Sequence, residues 1–459
     1  MLSTSEATDR VTGLTKRPPA ASEAEPLFLP EAGEFEDLGV SQSLLMDLAL
    51  KEIYFGRRPT AIDISRALAL PFHLTERILD EARAEHFIET VRSEAYLQQL
   101  FPYDLTDRGK DKVKECLARS QYRGPVPVPF AQYCDVVRRQ TIRAQTVVRE
   151  DVQRSLHDLV LSQQVLDRVG PGINSGVCIF LYGASGNGKT SIATRMRDLL
   201  SGPVLIPHAL EINEQIVKVL DPSVHEVRAS KEEVDRRMDF SDLAYDGPER
   251  RRDLRWAVCS RPVVIVGGEL TLDNLEFQYD PHLRYHQAPL HMKAAGGLLV
   301  IDDFGRQRVS PRDLLNRWIV PMDRGVDYLP LPTGETIEVP FDLLLVFSTN
   351  LHPLDVVDEA FLRRLRHKVF VPNPTLEQFN ALFFKDAAAR GLAITQELID
   401  SVIDRHYQAG REMRYCHVKD ILSNVEDIRR YEDDTSPLTV ETLVRAADAY
   451  FLFEIDTAD

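Results

Sequence analysis

Apolar residues recur at three- and four-residue steps near both ends of the chain and crowd into short unbroken runs between them. Near the start, Leu44, Leu45, Leu48, Ala49 and Ile53 mark one helix face. Ile62, Ile64, Ala67 and Leu68 mark a second helix, opened by Thr60, and Leu74, Ile78, Leu79 and Ala82 mark a third. Residues 87–91 and the segment around Phe101, Tyr103 and Leu105 then read as two strands of a hairpin, with a charged helix over 109–119. Three helices and a hairpin over 36–120 predict a winged-helix-like module behind a flexible polar tail, 1–35. Residues 122–130, YRGPVPVPF, hold three prolines and one glycine, which suits a stiff extended linker. A long helical stretch is expected from there to Val169, ending at Gly170, Pro171 and Gly172, so that 121–174 forms a connector.

The unbroken runs are Val177 to Tyr182, the LLVI of GGLLVIDDFG (296–305), and the LLLVF of DLLLVFSTN (342–350). Runs of that length and branching read as strands buried on both faces, hence an α/β core with a parallel sheet between helices, over 175–372. Four amphipathic segments follow, over 376–390, 396–409, 415–431 and 440–453, and predict an all-α lid over 373–459. Between the first and second runs lie more residues than one strand and one helix need. Strand candidates are 204–206, 217–220 and 263–266, and an insertion is implied over 209–295.

The first run closes on GASGNGKT: Gly183, Ala184, Ser185, Gly186, Asn187, Gly188, Lys189 and Thr190, with Ser191 continuing into a helix. This is the P-loop pattern. Glycines let backbone N–H groups wrap phosphates, Lys189 reaches the β and γ oxygens of ATP, and Thr190 offers its hydroxyl to Mg²⁺. The following helix points its positive end at the same place. The second run closes on two aspartates, as a Walker B strand does: Asp302 is the candidate Mg²⁺ ligand and Asp303 the carboxylate that polarises the attacking water. The third ends at Asn350, placed to orient a water near the γ-phosphate, because the carboxyl ends of parallel strands face the ligand crevice.

Net charge and cysteines narrow the remainder. A formal charge of -16 repels polyanions on average, and the third N-terminal helix carries Glu76, Asp80, Glu81 and Glu85 against Arg77 and Arg83. Docking of a client or adaptor protein is therefore favoured over nucleic acid for that module, although Arg92 stands in the wing. The five cysteines are far apart and read as reduced thiols; with no apolar leader and no long apolar span, a cytoplasmic protein without membrane insertion is expected. The histidines have no ligand spacing. Phe277, Tyr279 and Tyr285 are candidate pore aromatics with core packing as the default. Arginines 250, 251, 252, 255, 261, 306, 308, 312 and 317 are expected on a solvated or inter-subunit face.

With these motifs in place, the chain resembles the AAA+ ATPases over roughly 148–454, and its wording IDDFGRQRVSPRDLLNRWIVPMDRG is similar to a MoxR-like bacterial group. The resemblance implies that 348–350 is sensor 1, that 358–365 (DEAFLRRL) carries an arginine finger, and that 410–414 (GREMR) carries sensor 2. Arg364 is favoured over Arg363 as the finger, and Arg414 fits sensor 2 better than Arg411. It further implies a homo-oligomeric ring, usually a hexamer, hydrolysing ATP with Mg²⁺ to remodel partner proteins in a chaperone-like way. The rival expectations are a DNA-associated regulator and, because Asp303 stands where relatives have Glu, a nucleotide-dependent scaffold with little turnover.

Overall fold

The computed structural model describes residues 27–91, 101–228, 251–331, 333–356, 359–408 and 410–451. Its centre is a five-stranded parallel sheet, with strands named here in chain order: β1 Cys178–Tyr182, β2 Val263–Val266, β3 Leu298–Ile301, β4 Leu344–Thr349 and β5 His367–Phe370. Their spatial order is β5-β1-β4-β3-β2. Alternate side chains feed two cores. Ile179, Leu181, Leu298, Val300, Leu344 and Val346 pack one way against Val169, Ile173, Ile192 and Met196. Cys178, Phe180, Leu299, Ile301, Leu345 and Phe347 pack the other way against Leu314 and Trp318. Helices cover both faces, which is why β1, β2 and β3 and most of β4 are apolar at successive positions rather than at every second one.

Helices Leu376–Ala389, Gln396–His406, Tyr415–Glu432 and Val440–Tyr450 form the lid around Phe379, Phe383, Val402, Ile421 and Leu443. Thr375 opens the first of them, its hydroxyl accepting from the Gln378 N–H while the Gln378 side chain accepts from the Thr375 N–H. The lid boundaries agree with the periodicity to within a few residues.

At the other end, helices Gln42–Phe55, Ala61–Leu68 and Phe72–Ala84 precede the antiparallel strands Ile88–Thr90 and Tyr103–Leu105 and the helix Asp107–Arg119. Arg92 lies outside the described residues. The module is not tethered through a free linker. Tyr122 and Val126 are buried in its core, as are Ala209, Ile216 and Tyr285 from farther along the chain. Val128–Pro129 is itself a strand, pairing with Ala209–Ile212. It completes a second sheet in the order Gln278–Asp280, Tyr285–Gln287, Gln215–Lys218, Ala209–Ile212, Val128–Pro129. The insertion and the proline-rich segment thus build one sheet that seats the N-terminal module. Of the expected flexible tail, Leu29 is buried and Pro30 bridges to Arg252, while residues 1–26 lie outside the description.

Other expectations need correction. The long helix after the prolines is three helices, Phe130–Arg139, Arg149–Ser155 and Gln163–Asn174, with a 3₁₀ turn at Ile142–Ala144. The break comes at Thr141 and Ile142, whose hydroxyl and N–H both donate to the Asp342 carboxylate, at 2.7 and 3.0 Å. The last helix continues through Gly170, Pro171 and Gly172. Two of the candidate pore aromatics take the core packing that was the default, Tyr285 buried edge-on to Tyr122 and Phe277 against the core beneath the second sheet, while Tyr279 is exposed. Several of the arginines expected on a solvated face are structural. Arg261 donates to the Ser201 and Gly296 carbonyls, and Arg317 is held by Asp327 and Glu276.

Arg255 is 1% exposed. Its guanidinium meets Asp253 twice, at 3.0 and 2.8 Å, and donates to the Leu38 carbonyl at 3.0 Å, joining the second sheet's surroundings to the N-terminal module. Removing one member of a buried pair strands the other charge, so Arg255→Met is expected to cost about 3–5 kcal/mol in urea unfolding. A loss below about 1 kcal/mol would show that water reaches Asp253.

Candidate functional site

After Tyr182 the chain turns away from β1 and enters the helix Lys189–Arg195. The turn runs through three glycines at positive φ: Gly183 at 146°, Gly186 at 82° and Gly188 at 75°. Two of them also have no room. A Cβ on Gly183 would lie 2.3 Å from the Val371 carbonyl oxygen, and one on Gly186 would lie 2.2 Å from Cys416 Sγ. The loop is therefore pressed between the segment that follows β5 and the start of the lid helix Tyr415–Glu432. Ser185 and Ser191 are exposed and Ala184 half-buried.

Lys189 points back into the loop. Its ammonium donates to the carbonyls of Gly183 and Ala184 at 3.0 and 2.9 Å and to Asn350 Oδ1 at 2.6 Å. Burial lowers its pKa, against the opposing pull of Asp302 and Asp303. Asn350, one residue beyond β4, donates from Nδ2 to Asp303 Oδ1 at 3.2 Å. Thr190 donates its hydroxyl hydrogen to Asp302 Oδ2 at 2.8 Å. Residues far apart in sequence, from the ends of β1, β3 and β4, are thus joined into two hydrogen-bonded rows, Lys189–Asn350–Asp303 and Thr190–Asp302.

The acidic turn is itself braced. Asp303 adopts φ 48°, a left-handed conformation that an Asp side chain tolerates. Gln307 closes the turn by donating to the Asp302 carbonyl and accepting from the Gly305 N–H, both at 2.8 Å. Thr349 donates to the Phe304 carbonyl, and the Phe304 N–H donates to the Ser348 carbonyl, each at 2.7 Å, tying the turn to β4. Gln307 carries no sequence signal; its place follows only from how the turn folds.

The arginines divide. Arg414 is the N-cap residue of the lid helix Tyr415–Glu432; its Cβ is 4.0 Å from where a Gly186 Cβ would be, and its charge helps to lower the Lys189 pKa. Arg411 instead lies 4.1 Å over the Phe451 ring, inside the lid. Arg363 and Arg364 are exposed, and Arg364 Nε pairs with Asp323 at 3.3 Å. Neither has a described bond to the Lys189 or Asp302 rows. Asp358, in the same segment, lies outside the described residues.

Thr190 and Asp302 together offer the hard oxygen ligands that Mg²⁺ takes, and the glycine turn leaves backbone N–H groups at a helix start beside a cation; these residues fit a magnesium nucleotide. The strand carrying Asn350 between the P-loop strand and the Asp302 strand, the loop and the helical lid define an AAA+ P-loop NTPase fold. A family model described as "Domain of unknown function (DUF8689)" matches residues 375–449, which are the lid. No curated protein matches the chain. Among solved structures it is similar to a proline-to-glycine variant of RuvB from Thermotoga maritima at 11% identity, covering 67% of this chain and 72% of that one with a TM-score of 0.35. A threonine-to-valine variant of the same protein aligns at 10% identity over the same shares, with a TM-score of 0.34. A model of the BchI–BchD complex of magnesium chelatase aligns at 17% identity, covering 67% of this chain and 93% of that one, with a TM-score of 0.28.

The Gly183 geometry yields a test of the loop. Gly183→Ala combines a forbidden φ with a backbone collision, so it is expected to destabilise the protein by about 1–3 kcal/mol, read as a lower thermal midpoint. An unchanged midpoint would mean that the loop is free to move off Val371.

Proposed function

We propose that this chain is a Mg²⁺-dependent ATPase of the AAA+ class that works as a ring and remodels partner proteins docked through its N-terminal module. The observation that carries the reading is the row Lys189–Asn350–Asp303 lying beside the pair Thr190–Asp302. In this reading Lys189 and the N–H groups of the loop hold the phosphates, and Thr190 and Asp302 hold the metal. Bound magnesium ATP supplies the scissile phosphoanhydride. Asp303 accepts the proton of the attacking water, and Asn350, already bonded to Asp303, keeps that carboxylate aimed. Lys189 has first to exchange its carbonyl and Asn350 partners for phosphate oxygens. Arg414 is assigned to sensor 2 because it lies over the loop, and Arg364, exposed and outside the two rows of its own site, is assigned to a neighbour's.

Protein docking rather than DNA reading is supported by the charges on the N-terminal module, which we take as winged-helix-like. On its third helix Arg83 pairs with Asp80 at 3.1 Å and Arg77 with Glu34 at 2.6 Å, so both cations of that face are already matched by carboxylates. Phosphate neutralisation supplies most of the attraction of DNA modules.

Asp303→Asn is expected to bind magnesium ATP but to hydrolyse it at least about 10²-fold more slowly, whereas Lys189→Ala loses tight binding. Equilibrium binding and phosphate release separate the two. Wild-type turnover in Asp303→Asn would move the base elsewhere.

Arg364→Ala and Lys189→Ala subunits should each be nearly inactive, the finger being worth roughly 10³ to 10⁵ in rate. Mixed rings, verified by mass, should regain partial activity, since an intact loop then faces an intact Arg364. Mixed rings as inactive as their parents would return Arg364 to a surface pair with Asp323.

A further inference from the structure

Three polar side chains that the catalytic rows leave unused connect the P-loop to the lid. Asn187 is 1% exposed; its Nδ2 donates to Asn373 Oδ1 at 2.8 Å and more weakly to the Val371 carbonyl at 3.4 Å, and its Oδ1 has no hydrogen-bond partner among the described residues. Asn373 lies in the segment between β5 and the first lid helix. Its own Nδ2 donates to Glu412 Oε2 at 3.1 Å, and that carboxylate stands 4.0 Å from the Arg414 guanidinium. Beside this chain, the Cys416 N–H donates to the Gly186 carbonyl at 2.9 Å.

The carboxamide of Asn373 accepts from Asn187 through its oxygen and donates to Glu412 through its nitrogen, two separate atoms serving two partners at once. Glu412, when ionised, can only accept. Asn373 therefore joins the loop to the carboxylate that stands beside the lid's Arg414.

We propose that Asn373 is a positioning residue: through Asn187 on one side and Glu412 on the other it latches the lid onto the P-loop and sets Arg414 over the nucleotide. The role in turnover rests on the ATPase reading above, but the latch itself can be read without nucleotide. Cys416 serves as the reporter, because it is half-buried against Gly186 whereas Cys116, Cys134, Cys178 and Cys259 are buried.

The test measures the rate at which an aromatic disulfide reagent modifies Cys416 in the nucleotide-free full chain, with the thermal midpoint recorded for each variant. Asn373→Ala should raise that rate by about threefold to tenfold, the range that one net hydrogen bond sets, with the slow thiols unchanged. Asn373→Asp should raise it too, since a second carboxylate then faces Glu412. Adding Glu412→Gln should bring the rate back, because the new amide can donate to the new carboxylate. This rescue is one that mere loss of stability would not give.

In turnover, Asn373→Ala should lower kcat by several-fold while nucleotide affinity changes less, and should cause no further loss in an Arg414→Ala background. An unchanged Cys416 rate in Asn373→Ala, or an exchange that fails to restore it, overturns the latch. Equal kcat losses with and without Arg414 overturn the route through that arginine. A wild-type chain that binds no nucleotide but shows the full thiol pattern would remove the ATPase reading and leave the latch standing.

Discussion

Five strands running the same way, the central ones buried on both faces, end at one edge of the sheet, and the placing of Lys189, Thr190, Asp302, Asp303 and Asn350 depends on that constraint. At that edge the backbone leaves the ladder and its polar groups need new partners. The loop after β1 answers with a helix start and Lys189, the turn after β3 with two carboxylates, and the end of β4 with a carboxamide. Because β4 lies between β1 and β3, Asn350 can touch Lys189 on one side and Asp303 on the other. Partial burial then raises the stakes. Taking Lys189 out of water lowers its pKa by disfavouring the charged form, while Asp302 and Asp303 pull the other way.

The second sheet explains how so much chain is spent away from that edge. Its strands are two to four residues long and come from three separated segments, so none is stable alone. They hold together because the N-terminal module closes over Ala209, Ile216 and Tyr285, and because Arg255 is bonded to both Asp253 and the Leu38 carbonyl. Such arginines act as internal ties; each matches carbonyl or carboxylate oxygens that burial would otherwise leave unpaired. The N-terminal module is in this way packed onto the second sheet rather than tethered beside it.

The lid is held more lightly. Its own core is aromatic and aliphatic, but its tie to the P-loop consists of the Cys416 N–H, the Asn187–Asn373–Glu412 chain and the approach of Gly186. Contacts of this kind are each worth about 1 kcal/mol and can be exchanged without unfolding either body.

Local pattern was enough for β1 to β4, the loop and the lid helices, because each is specified within ten or twenty consecutive residues: a largely apolar run, a glycine spacing, a face repeating at three and four; β5, which opens with His367 and Lys368, carries no such run. The same holds for the three N-terminal helices, the first two capped by Ser41 and Thr60. Pairing between distant segments was not legible. Val128–Pro129 reads as a stiff linker until Ala209–Ile212 lies beside it, and Arg255, Arg261 and Arg317 read as surface until their acceptors arrive from elsewhere in the chain. Arg414 was favoured over Arg411 from the start of the lid helix, and the lid fold turns Arg411 onto Phe451 and brings Arg414 beside Gly186. The sequence by itself singled out Lys189, Thr190, Asp302 and Asp303 as the candidates for phosphate and metal chemistry, since such groups must be specific types at fixed short intervals. Tertiary structure alone decided which of the remaining charges face water, which tie the body together, and how the lid meets the loop, because desolvation and hydrogen-bond partnership depend on neighbours that the linear order does not name.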